Sequence, residues 1–132
     1  MENYKLNVNN CYHNDWVIFD GRYFKVDITA PVFPCLQTIE FGIGVVDWNN
    51  IQPIPLSPKL MERIEGWVKC KDNSSYAISY TNEVFTIRFY KDKFWRILYK
   101  DVTLDNIEGY LHEIQQLIRL FTNKEIEVKW EK

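Results

Sequence analysis

No run of about eighteen successive apolar residues occurs in this chain of 132 residues, so the sequence offers no membrane-spanning helix. The opening Met-Glu-Asn-Tyr-Lys carries no basic segment leading into an apolar stretch, and a secretory leader is not expected. Cysteine is scarce. Cys11, Cys35 and Cys70 make an odd number at wide spacing, which does not suit a disulfide framework and is compatible with free thiols in a reducing compartment. A cytoplasmic location is therefore the expectation. Basic excess is missing as well: 16 Lys and Arg against 18 Asp and Glu leave a formal net charge of −2. The chain thus lacks the global positive field that nucleic-acid and anionic-membrane binders normally carry.

Spacings that carry chemistry are also wanting. Cys11, His13, Cys35, Cys70 and His112 include enough ligand types for zinc, but only Cys11 and His13 are close, and structural zinc sites bring paired ligands from two places. Cys11, His13 and Asp15 supply the residue types of a nucleophilic triad within five residues, sharing one face if the segment is extended. Such groups are normally assembled from distant segments, whereas the stretch from Asn7 to Asp15 reads as an Asn-rich loop or edge. Glu40 and Asp47 form a possible carboxylate pair that nothing in the sequence brings together. Phe41-Gly-Ile-Gly44 has two glycines but neither a third nor a following helix, so strand glycines explain it better than a phosphate cradle. No catalytic residue, metal ligand or cofactor is expected.

What is present is an ordinary globular composition, 46% hydrophobic and 26% charged, with aromatic residues at 16%. No internal repeat, low-complexity tract or composition shift marks a linker, and a single domain over 1–132 is expected. Trp16 to Ile28 reads as a hairpin around Asp20-Gly21, whose type I′ turn sets Phe19 against Arg22 and Val17 against Phe24. Val17, Phe19, Phe24, Val26 and Ile28 then share a face. Pro31 and Pro34 break the pattern into a loop or crossover. Thr38 to Val46 alternates Ile39, Phe41, Ile43 and Val45 with small or polar residues, a strand in which Gly42 and Gly44 invite a bulge. Ser57-Pro58 reads as the cap and first residue of a short helix running to about Glu65 and stopping at Gly66.

The most consistent pattern runs from Ser75 to Phe121. Tyr76, Ile78 and Tyr80 alternate on one strand and Phe85, Ile87 and Phe89 on the next; a turn at Thr81-Asn82 pairs Ile78 with Phe85 and Tyr76 with Ile87. For the following reversal, burial selects a three-residue loop Lys91-Asp92-Lys93, pairing Phe89 with Trp95, Ile87 with Ile97 and Phe85 with Tyr99. Thr103 reads as the cap of a helix carrying Leu104, Ile107, Leu111, Ile114, Leu117, Ile118 and Phe121 on the face that covers the sheet. Ile126, Val128 and Trp130 alternate as a last strand. The fold class is α+β: an antiparallel sheet of about six strands packed on one long C-terminal helix, Leu104 to Phe121, with one short helix near 58–65.

This register puts Arg88 directly across from Arg96 on the face away from the helix, with Tyr90, Phe94 and Leu98 beside them. Like charges in that position repel unless an acidic group joins them, either from within the chain, such as Asp27 or Glu40, or from a partner. Arg88, Tyr90, Phe94, Arg96 and Leu98 are the candidate partner-binding residues. The functional expectation is a non-enzymatic protein-interaction module, for example a small cytosolic inhibitor or immunity-type protein that masks another protein. The alternative is a small-ligand binder or enzyme with a pocket between sheet and helix, using hydroxyls of Tyr76, Tyr80, Tyr99 and Tyr110. Arginines among aromatics also suit single-stranded nucleic acid, but the β-rich order and negative net charge speak against it.

Overall fold

The computed structural model describes residues 4–7, 9–27, 35–37, 42–70 and 77–130. The fold is α+β, and its strands form two antiparallel sheets of four and five strands. The chain groups into two compact units, one of Met1–Ile54 with Tyr110–Thr122 and the other of Pro55–Gly109 with Asn123–Lys132.

In the first unit, β1 (Trp16–Phe19), β2 (Arg22–Asp27), β3 (Cys35–Gln37) and β4 (Gly42–Val45) pair in chain order. Asp20 and Gly21 both have positive φ, 52° and 75°, the type I′ signature, and Phe19 pairs with Arg22 and Val17 with Phe24 as the sequence predicts. Val17, Phe24 and Val26 are buried with Leu6, Cys11, Leu36 and Ile51 in one core, against which Phe19, Val46 and Trp48 pack. β3 is an added strand where only a proline-broken connection was expected; Ile28 and the Pro31–Pro34 stretch lie outside the described residues. The glycines of β4 do mark a bulge. Leu36 pairs with Gly44 but Gln37 with Gly42, leaving Ile43 as the extra residue, and Gly44 takes φ +99°. The bulge ends the expected alternation, so Val45 is exposed and Val46 packs on the core; Ile39 and Phe41 fall outside the described residues.

The unit is completed by α2 (Leu111–Thr122), whose Leu111, Ile114 and Ile118 are buried. The helix groups with the N-terminal sheet rather than with the meander, packing against β1. It is also shorter than its apolar spacing suggests. Asn106 and Gly109 have φ of 65° and 104°, which a right-handed helix does not admit, and the Leu104 N–H donates to the Ile97 carbonyl at 2.9 Å. Thr103 accordingly pairs in a strand instead of capping. The true start uses Glu113, whose carboxylate accepts the Tyr110 N–H at 2.8 Å, half of a capping box.

In the second unit, α1 (Pro58–Met61) is capped by Ser57, whose hydroxyl accepts the Leu60 N–H at 3.1 Å. It stops after one turn, before the expected Glu65, because Ile64 is drawn into a β-bridge with Val128. That single bridge is also all that forms of the strand expected at Ile126–Trp130. The sheet runs β5 (Val68–Lys69), β6 (Ala77–Thr81), β7 (Phe85–Tyr90), β8 (Lys93–Tyr99) and β9 (Val102–Thr103) in order. The β6–β7 register differs from expectation: Ile78 pairs with Phe89 and Tyr80 with Ile87. Asn82 is responsible, since its side-chain oxygen accepts the N–H groups of Val84 and Phe85 at 2.8 and 2.6 Å and moves the turn to Glu83-Val84. The displacement is even, so the same side chains stay inside, and Tyr80, Phe85, Ile87, Phe89 and Ile97 are buried. Tyr76 lies outside the described residues.

Candidate functional site

The site is built by the reversal between β7 and β8. Lys91 and Asp92 both take positive φ, 52° and 66°, so the turn is a two-residue type I′ turn with Tyr90 paired to Lys93. Farther from the turn, Arg88 pairs with Arg96, Ile87 with Ile97 and Phe85 with Tyr99, the register expected from burial. The odd residue that a three-residue loop was meant to absorb appears instead as a bulge at Trp95, between the Arg88–Arg96 and Phe89–Phe94 pairs. Phe89 therefore faces Phe94, not Trp95.

The bulge reverses the facing of everything between it and the turn. Phe94 is brought to the inner side, its ring edge-on to Phe89 at 6.4 Å and against Gly109, where an added Cβ would lie 2.7 Å from the Phe94 ring. Trp95 is pushed outward and is 52% exposed; Tyr90, at 49%, lies 6.2 Å from it. The Arg96 guanidinium covers the Trp95 ring at 4.1 Å, and the Lys91 ammonium stands 5.5 Å from the Tyr90 ring. Leu98 is only 7% exposed. Of the residues expected on this surface, Arg88, Tyr90 and Arg96 lie on the outer side, Phe94 is turned toward Phe89 and Gly109, and Leu98 is buried. Trp95 belongs there in their place. Its sequence signal was the conflict between a tight two-residue turn and the odd spacing that burial demands.

Neither arginine has an acidic neighbour among the described residues. Asp27, one of the two internal candidates, instead lies 3.3 Å from His13 Nδ1 in the first unit, and Glu40 lies outside the described residues. Arg96 Nε is shielded from solvent yet has no hydrogen-bond partner among the described residues. The patch is two guanidinium groups without an ion pair among the described residues and two half-exposed aromatic rings, a combination suited to carboxylates and apolar side chains together.

The titratable groups of the first unit are engaged in structure. Asp15 is fully buried: one carboxylate oxygen accepts from Arg119 Nη1 at 2.6 Å, the other from Gln116 Nε2 at 2.7 Å and the Tyr12 N–H at 2.8 Å. Burial pushes its pKa up, and the Tyr12, Gln116 and Arg119 contacts pull it back. Gln115 accepts the Trp16 N–H at 2.8 Å and donates to the Asn14 carbonyl at 2.9 Å, tying α2 to the start of β1. Cys11 is buried, and desolvation with the nearby Asp15 charge raises its pKa, so the thiol keeps its proton. His13 is exposed. Cys11, His13 and Asp15 thus do not share a face, and the triad reading fails. Asp47 caps a short 3-10 turn by accepting the Asn49 N–H at 2.9 Å. Among the described residues no group of three His, Cys, Asp or Glu is placed to hold a metal, and no helix is long and apolar enough to cross a membrane.

Comparison of the chain with protein-family models, curated proteins and solved structures finds no match.

Proposed function

We propose that this chain is a protein-interaction module that docks an acidic partner surface on the outer side of the β7–β8 hairpin. The observation that carries the reading is Trp95, half exposed at a bulge and stacked beneath Arg96, with Arg88 opposite and without a carboxylate for either arginine among the described residues. Trp, Tyr and Arg are the side chains that most often dominate interface energy, because each combines large apolar contact with directed polar atoms. A bulge holds Trp95 outward at no cost to the inner face, where Phe94 fills the space beside Gly109. In its finer form the module is a small inhibitor or immunity-type protein that masks its partner, acting in the cytoplasm, where its cysteines stay reduced. The test is affinity capture from the native host with wild-type protein and Trp95→Ala: a partner recovered by the first and lost by the second, with unchanged far-UV circular dichroism, supports the reading. Equal recovery removes the patch from it.

A further inference from the structure

The second unit carries a separate groove of about 670 Å³, lined by Pro58, Glu62, Ile64, Ile78 and Tyr80 and rimmed by lysines. This volume is within the range of small-molecule sites. Its walls are the capped turn of α1, the segment up to Glu65, the edge strand β5, β6 from Ile78 to Tyr80, and Lys129. The apolar part of the lining comes from Pro58, Ile64, Ile78 and the Tyr80 ring.

The charges are uneven. Among the described residues that line it, four cations, Lys59, Arg63, Lys69 and Lys129, meet two carboxylates, Glu62 and Glu65. Glu65 is taken by Lys129 at 2.9 Å, and Glu62 accepts the Tyr80 hydroxyl at 2.8 Å. Burial, and then that hydrogen bond, raise the Tyr80 pKa, so the phenol remains a donor committed to Glu62. Arg63 donates through Nη1 to the main-chain carbonyls of Lys129 and Trp130, which orient its guanidinium without neutralising it. Lys59 and Lys69 are exposed and have no ion pair among the described residues. Two fixed carboxylates, an apolar part of the lining and a surplus of two positive charges on the rim define a complementary shape of charge.

We propose that this groove binds an amphipathic organic anion, a carboxylate with an apolar body, its head held between Lys59 and Lys69 and its body on Ile64, Ile78 and Tyr80. The site is independent of the Trp95 patch. The probe is octanoate, titrated into the full-length chain and followed by amide nitrogen–proton shifts, beside octylammonium and the Lys59→Glu/Lys69→Glu variant. The expected result is saturable shifts at Glu65, Lys69, Ile78 and Tyr80, with octylammonium and the double variant each weaker by about tenfold or more. Both lysines are exposed, so the variant keeps its melting temperature. Absence of saturable shifts, shifts elsewhere, or equal affinity for octylammonium or for the double variant would overturn the proposal.

Discussion

Arg88 and Arg96 face each other across β7 and β8 with no acidic group between them among the described residues. Two guanidinium groups in that position repel, and a carboxylate introduced at one of them replaces repulsion with attraction. Arg88→Glu should therefore stabilise the protein by about 0.2–1 kcal/mol in urea unfolding. An acidic neighbour supplied from elsewhere in the chain would make the same change destabilising.

Gly109→Ala tests the packing that turns Phe94 inward. The glycine has φ +104°, and a Cβ there would meet the Phe94 ring at 2.7 Å. Strain and clash together should cost about 2–4 kcal/mol. Adding Phe94→Ala to that variant removes the ring contacts but keeps the Cβ of residue 94, 2.9 Å from the new methyl, and the strained φ, so the two losses should be only partly less than additive in denaturant unfolding.

His112 gives stability a defined pH dependence. Its Nε2 lies 2.7 Å from the Tyr4 hydroxyl, its Nδ1 has no hydrogen-bond partner among the described residues, and burial lowers its pKa from 6.5 to about 4. The unfolded chain therefore takes up this proton first. The stabilising contribution of the neutral ring is complete above pH 6.5 and is lost as the pH falls toward 4, with a limit of about 3 kcal/mol. Unfolding measured at pH 7 and pH 4.5 should show the loss, and His112→Gln should flatten it.

Asp15 and Arg119 form a pair whose carboxylate is wholly buried. Arg119→Met leaves that charge uncompensated and should cost about 3–5 kcal/mol in urea unfolding. Adding Asp15→Asn removes the stranded charge, so the double variant should be more stable than Arg119→Met alone.

How far the sequence foretold these features depended on whether a local rule had a competitor. Asp20-Gly21 had none, and its hairpin register is correct at each pair. Burial parity was also enough for the Arg88–Arg96 pair, because only one register puts Ile87, Ile97, Phe85 and Tyr99 inside. The same parity is met by a three-residue loop or by a tight turn plus a bulge, and only the second turns Phe94 inward and Trp95 outward. Helical spacing at Leu104 and Ile107 lost to the preference of Asn106 and Gly109 for positive φ and to the sheet's extension through Thr103. Asn82 moved a turn by a side-chain hydrogen bond that composition alone does not reveal. The groove was invisible because Pro58, Lys69, Tyr80 and Lys129 are brought together only by tertiary pairing.

The most direct test of the hairpin as a docking surface is affinity capture with Arg88→Glu/Arg96→Glu, combined with its melting temperature. Like-charge repulsion across the strands is restored with opposite sign, and only the stacking of Arg96 on Trp95 is forfeited, so stability should stay within about 1 kcal/mol of wild type. The expected result is loss of the captured partner with a melting temperature shifted by no more than about 5 °C. Undiminished recovery, or a fall in melting temperature well beyond that, would mean that the arginines serve the chain's own packing and not a partner.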